Sequence, residues 1–259
     1  MNNLPDMLWI ELRKAIRSRM PLWTALGSLF LPLGIAFLLF IARNPAISQK
    51  LGLVSAKANL MAYSATDWPT YMGVCAQVIG IGEFFVLVLV ISWVFGREFV
   101  DGTLKDLLAV PVQRAILLLA KFIVVAIWSV MLTLVISISS LILGALLKLP
   151  GGTGSVVLHG GGVVALTACL VVGVVIPFAF FASIGRGYLL PIAMAVLSVI
   201  AANFVIVLGW GEYFPWAVPM IYAQGKTALT MASYWIVVLT GVLGLGVTYL
   251  WWQVADQNR

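Results

Sequence analysis

An all-α membrane protein with six transmembrane helices is the fold class the sequence predicts, on three observations. The chain is 63% hydrophobic and only 9% charged, whereas soluble domains carry an apolar share of roughly 45–50%. Its mean hydropathy is +1.10. Six apolar runs reach the roughly 20 residues that a bilayer crossing needs, at 22–41, 72–95, 122–147, 163–185, 188–208 and 234–255, and Glu83 is the only acidic or basic residue inside any of them. In hydrocarbon each backbone N–H and C=O must be paired within its own segment, so these runs are read as helices. One membrane domain spanning 1–259 follows.

Residues 1–21 precede the first span. Asp6 is placed to cap a short helix, with Leu8, Trp9, Leu12 and Ile16 on one face and Glu11, Lys14 and Arg17 elsewhere. An apolar face bearing tryptophan beside a basic face describes an interfacial helix lying among lipid headgroups. It serves as a topology anchor or as a partner contact. The basic-then-apolar order is also that of a signal peptide, but the run is too long and no small-x-small cleavage site follows. We read it as a retained first span.

The stretch 43–71 is a polar outer loop without a motif. After the second span, 95–121 (FGREFVDGTLKDLLAVPVQRAILLLAK) packs seven charges between two apolar runs. Thr103 and Asp106 have capping-box spacing after the Asp101-Gly102 turn. Leu104, Leu107 and Leu108 then share one face of a short helix, ended by the restriction that Pro111 places on Val110. Pro111 suits the first turn of a following helix, which can run unbroken over 112–147. At ~1.5 Å per residue it is about 54 Å long, so its lower part, with Arg114 and Lys121, projects beyond a ~30 Å hydrocarbon core. A short amphipathic helix so placed is a lever moving both spans, or a solvated loop whose leucines rest on the membrane.

Residues 151–162 read as a glycine-rich connection holding the lone histidine, His159, on the surface. Only Arg186 and Gly187 part the fourth and fifth spans, which forces a hairpin. The aromatic-rich stretch 209–233 is interrupted by Pro215 and Pro219, which forbid a continuous helix. It is read as an outer re-entrant segment or as an aromatic loop on the surface. Cys75 and Cys169 fall within spans as small packing residues.

Net charge is +6 and pI about 9.5. The positive-inside rule accounts for this without a nucleic-acid partner. With both termini cytoplasmic, ten of the fifteen basic residues face inward, and Arg43, Lys50, Lys57, Lys148 and Lys226 face outward. A multi-pass protein of the plasma membrane follows, in contact with lipid.

The pattern Gly96-Arg97-Glu98-Phe99-x-Asp101-Gly102-Thr103-Leu104, with Pro111 and Arg114, resembles the signature of permease subunits of type-2 ABC exporters. The stretch 176–203, with Ser183-Ile184-Gly185-Arg186-Gly187-Tyr188, and Tyr213-Phe214-Pro215-Trp216 look like the bacitracin and lantibiotic resistance branch. The resemblance implies that 96–114 is a cytoplasmic coupling segment docking on an ABC ATP-binding subunit. The contact residues it implies are Arg97, Glu98, Asp101, Gly102, Thr103, Leu104, Lys105, Leu107 and Leu108. It further implies a dimer with a second permease copy or a paralogue, and an amphipathic substrate such as a drug or antimicrobial peptide. No G-x-x-x-x-G-K-[ST] phosphate loop occurs in the chain, so ATP hydrolysis is expected on a separate subunit. Paired carboxylates, H-E-x-x-H and intramembrane histidine are also missing. No catalytic residue, metal site or cofactor is therefore expected. The alternative is a secondary transporter or channel not driven by ATP, against which stands the single intramembrane ionisable group.

That group, Glu83, is assigned to the translocation pathway, with a structural hydrogen bond to a neighbouring helix as the alternative. Ser129, Thr133, Ser137, Ser140 and Gly144 form a small, weakly polar stripe read as helix packing, as do Thr240, Gly244 and Thr248. Asn203 is read as a buried amide.

Overall fold

The computed structural model describes residues 4–43, 67–103, 112–225 and 229–254. Among these the regular structure is entirely helical, and six helical stretches are long and apolar enough to cross a membrane. In chain order the elements are α1 (Leu4–Arg17), α2 (Met20–Arg43), α3 (Trp68–Val78), a π-helical turn (Ile79–Glu83), α4 (Phe84–Val100) and α5 (Arg114–Leu146). There follow α6 (Gly154–Val175), α7 (Phe178–Ile184), α8 (Leu189–Val207), a 3₁₀ turn (Gly211–Tyr213), α9 (Val218–Gln224) and α10 (Met231–Val254).

Local chemistry explains most of the ends. Asp67 caps α3 by accepting from the Thr70 N–H at 3.0 Å, with Pro69 in the first turn. Gly225 closes α9 in the left-handed region at φ 62°. Arg19, at φ 60°, makes the tight turn between α1 and α2, where the Ser18 hydroxyl donates to Ala15 O at 2.6 Å. Leu4 and Pro5 are already helical, so Asp6 lies inside α1 near its positive dipole end, in place of the capping role expected of it. The fourth span is broken once: Ile176 and Pro177 separate α6 from α7, because proline cannot donate to the ladder. The second span carries its irregularity at Ile79–Glu83, where one turn widens to the π form.

Three spans form the middle of the body. The most apolar windows of α3–α4, α5 and α6–α7 are 61%, 50% and 50% buried, against 33% for α2, 28% for α10 and 17% for α8. Small residues set the closest approaches. Gly144 lets α5 meet Trp68 and Tyr71 of α3, where a Cβ would come within 2.8 Å of the Tyr71 ring, and the Tyr71 hydroxyl donates to Ser140 O at 2.8 Å. The polar stripe of α5 is thus a packing surface. The α10 stripe works similarly: a Cβ on Gly244 would lie 2.7 Å from the Pro177 nitrogen. Gly244→Ala is expected to lower stability by about 1–3 kcal/mol by overpacking. Gly246→Ala, with nothing within 4 Å of its would-be Cβ, is expected to leave the thermal midpoint of the detergent-purified chain unchanged.

Several sequence expectations need correcting. The glycine-rich run 151–162 is largely helical, since α6 starts at Gly154 and His159 lies exposed on it. Cys169 is exposed while Cys75 is buried. Asn203 is exposed on α8 and satisfies itself by donating to Val199 O at 2.8 Å. In α1 the face turned to the protein is Met7, Glu11 and Ala15, whereas Trp9 and Ile16 are 63% and 72% exposed. The buried face of α1 therefore includes a carboxylate.

Candidate functional site

The buried carboxylate leads to the site. Helix α1 lies across the start of α5, where Lys121 is fully buried among Leu117, Leu118 and Val124. The Lys121 ammonium donates to Glu98 Oε1 of α4 at 2.8 Å, to Val94 O at 3.0 Å and to Glu11 Oε2 of α1 at 3.1 Å. Lys14 of α1 closes the ring, with Nζ 2.8 Å from Glu11 Oε1 and 3.3 Å from Glu98 Oε1. Two carboxylates and two ammonium groups thus form a neutral quartet joining three helices, with Glu98 and Glu11 only 3% and 5% exposed. Lys121 does not project into water as expected. Its three donors are all used inside the protein, which is how a buried ammonium escapes its desolvation penalty.

The electrostatics of α1 follow from this geometry. Burial pushes the Glu11 carboxyl upward, but the charges of Lys121 and Lys14 prevail and hold it below its ordinary value of 4.5. For Lys14 burial acts downward, and Glu11 and Glu98 more than reverse it, raising the ammonium above 10.5. Both groups are thus held in their charged forms.

Other contacts fasten the same end of the molecule, which we term the amino-terminal face. The Arg114 guanidinium at the start of α5 donates to Trp252 O of α10 at 2.5 Å, and the Trp252 indole donates to Ser183 Oγ of α7 at 2.9 Å. Trp252 also stacks edge-on against Phe99 at 6.0 Å. Gly96 permits α4 to pass the α7–α8 turn, for a Cβ there would lie 3.0 Å from Gly187 O. The helices entering and leaving the 101–113 connection are therefore both locked to the rest of the body, α4 through Glu98, Phe99 and Gly96, α5 through Lys121 and Arg114.

At the exposed end of α4, Arg97 Nε pairs with Asp101 Oδ2 at 3.0 Å, and Arg97 Cζ lies 5.0 Å from the Trp93 ring centre. Asp101, Gly102 and Thr103 are exposed, with Gly102 in the left-handed region at φ 68°. Of the expected contact residues, the structure thus brings Arg97, Asp101, Gly102 and Thr103 to the surface and turns Glu98 inward. Leu104, Lys105, Leu107 and Leu108 lie outside the described residues. Sequence reasoning missed Glu11, Lys14 and Lys121 as one unit. The available signal was a lysine at 121 flanked on both sides by apolar residues, a place where a cation must either snorkel or find a partner.

Glu83 occupies the π turn and is fully buried. Its Oε1 accepts from the Thr133 hydroxyl of α5 at 2.5 Å, while Oε2 is buried without a hydrogen bond to any described residue. A small cavity of about 120 Å³ between the π turn, α8 and α9 is lined by Ile81, Phe84, Asn203 and Trp216, and Glu83 does not reach it. Thr133→Val should leave both carboxyl oxygens unpartnered and cost about 1–3 kcal/mol in detergent unfolding. Thr133→Ser, which keeps the hydroxyl, should restore most of the loss. Among the described residues no group of His, Cys, Asp and Glu could hold a metal ion.

At the opposite face Trp216 inserts between helices, its indole donating to Val174 O of α6 at 3.1 Å and its ring 6.4 Å from Phe178. Helix α9 then packs on α3 and α6. It borders an open cleft of about 550 Å³ lined by Met72, Ser155, His159, Tyr222 and Gln224.

Residues 7–203 match the family described as ABC-2 family transporter protein. The chain is 27% identical over 171 residues to the bacitracin transport permease protein BCRB of Bacillus licheniformis, covering 65% of this chain and 82% of that relative. No solved structure matches. The family match begins in α1, takes in the buried quartet and the α4–α5 connection, and ends within α8, covering well over half the chain: this protein belongs to the ABC-2 family of transporter proteins.

Proposed function

We propose that the chain is the membrane-spanning subunit of an ATP-driven exporter, working as a dimer with a second copy or a paralogue. It moves a drug, antimicrobial peptide or other amphipathic substrate out of the membrane or cell. The name of the bacitracin transport permease, at 27% identity, supports a peptide antibiotic as the substrate class. The amino-terminal face is taken as cytoplasmic, with α1 interfacial and the segment 209–233 re-entrant from the outside.

The observation that carries the reading is the buried quartet that ties α1 to α4 and α5, the two helices flanking 101–113. A solvated loop needs no such foundation. A lever does, because a push on 101–113 reaches the spans only if both flanking helices are tied to the body. Arg97, Asp101, Gly102 and Thr103, with Leu104, Lys105, Leu107 and Leu108, form the proposed contact for an ABC ATP-binding subunit, and Glu98 supports it from beneath. Hydrolysis belongs to that subunit, and this chain is no enzyme. Glu83, sealed between helices in this conformation, serves the pathway only where transport opens the contact between the π turn and α5. Proteoliposomes holding the chain and its ATP-binding subunit should transport substrate with ATP and stop without it. Transport driven by a proton gradient in the absence of that subunit would replace this reading with secondary transport.

A further inference from the structure

A cavity of about 390 Å³ opens on the amino-terminal face between α1 and the end of α4. Among the described residues its wall carries four cations, Arg13, Lys14, Arg17 and Arg97, and no carboxylate. Two of the four have internal partners: Lys14 in the quartet, and Arg97 through Nε to Asp101. Among the described residues no carboxylate lies within ion-pair distance of Arg13 or Arg17. Arg97 Nη1 is buried and has no hydrogen-bond partner among the described residues.

Arg13 and Arg17 stand four residues apart on α1, and Lys14 and Arg17 three apart, spacings at which like charges repel on a helix. A fold gains nothing from concentrating such repulsion around an orphaned guanidinium N–H unless an anion enters. Planar guanidinium forks match the tetrahedral oxygens of a phosphate. The rim says which kind of phosphate. Trp9 and Ile10 line the same cavity and are 63% and 43% exposed, an apolar lip that a soluble anion would not use. A tryptophan beside arginines is the composition of a group seated at the headgroup level of a bilayer.

We propose that this cavity holds the phosphodiester headgroup of one anionic phospholipid, with Arg13, Arg17 and Arg97 on the phosphate and Trp9 and Ile10 against the upper acyl chain. Lys14 belongs both to the cavity wall and to the buried quartet, so an occupied site presses α1 onto α4. The bound lipid becomes part of the joint between α1 and α4. The proposal rests on the reading of α1 as an interfacial helix.

The test uses the full-length chain in nanodiscs of phosphatidylcholine with and without phosphatidylglycerol, followed by native mass spectrometry of retained lipid. Phosphatidylglycerol should be retained in preference to phosphatidylcholine. Arg13→Gln with Arg17→Gln should cut that preference by about tenfold or more, as expected for losing two cations at a membrane surface. Arg97→Lys, which keeps charge and loses the fork, should weaken it too. Lys148→Asn, at the opposite face, should have no effect. Equal retention of both lipids, or an unchanged preference in the double variant, overturns the site. Millimolar inorganic phosphate displacing the lipid completely makes it a free-phosphate site and overturns the lipid assignment, as does complete displacement by the ATP-binding subunit, which would make it a protein contact. Quenching by brominated acyl chains, compared between the wild type and Trp9→Phe, separates the two levels. A Trp9 contribution without headgroup preference overturns the cavity alone, and no Trp9 contribution removes the interfacial reading with it.

Discussion

Lys121→Met is expected to cost the folded chain about 3–5 kcal/mol. The substituent fits the apolar surroundings of Leu117, Leu118 and Val124, so the loss comes from charge. Without Lys121, Glu11 and Glu98 must share Lys14, which reaches Glu98 at only 3.3 Å, and one negative charge stays buried and uncompensated. Adding Glu98→Leu should recover much of the loss, because the double variant leaves Glu11 and Lys14 as a complete pair at 2.8 Å. The measurement is thermal or denaturant unfolding of the single and double variants in one detergent. A double variant no more stable than Lys121→Met would mean that position 121 contributes by packing and not by charge.

The pH dependence has a fixed sign. The folded Glu11 carboxyl lies below its ordinary 4.5, so its contribution is complete above that value and is lost as pH falls through the lower, folded one. The stability gap between wild type and Glu11→Gln should therefore be constant near neutrality and close only in acid.

How legible this was from sequence depends on distance along the chain. The six spans were legible because each is a continuous apolar run. The α6 start was not: glycines between 151 and 162 look like a loop by helix propensity, yet in a bilayer the backbone of a span must pair with itself, and the helix extends through them. The π turn at Ile79–Glu83 leaves no mark in composition. Glu83 was found because a carboxylate in an apolar run is conspicuous, but its partner Thr133 was hidden in a stripe read as packing. The quartet was least legible. Glu11 and Lys121 are 110 residues apart, Lys14 and Glu98 are 84 apart, and each charge alone passes for a topology signal or a solvated face. Glu98 shows the cost most clearly. Asp101 is exposed and Arg97 half-buried, and adjacency in sequence grouped Glu98 with them although its carboxylate is buried against Lys14 and Lys121.

That separation yields the sharpest functional expectation. Asp101→Lys should abolish co-purification with the ABC ATP-binding subunit, or weaken it by more than about tenfold, while thermal stability of the isolated chain changes little. Asp101 is exposed, and its pair with Arg97 is a surface ion pair worth about 0–1 kcal/mol. A loss of binding therefore reports the interface and not the fold. Glu98→Lys should lose binding too, but only together with a drop in thermal midpoint, since it places a third cation beside Lys14 and Lys121. Gly102→Val gives a third pattern. Among the described residues nothing lies within 4 Å of its would-be Cβ, but φ is +68°, a region strongly unfavourable to a β-branched residue. The connection must then leave α4 in a different direction. Binding is expected to weaken less than in Asp101→Lys while ATP hydrolysis becomes uncoupled from transport, because the lever is held but aimed wrongly. Should Asp101→Lys and Gly102→Val both bind the ATP-binding subunit and transport as the wild type does, the exposed end of α4 is no part of the docking surface, and the buried quartet beneath it only holds helices together.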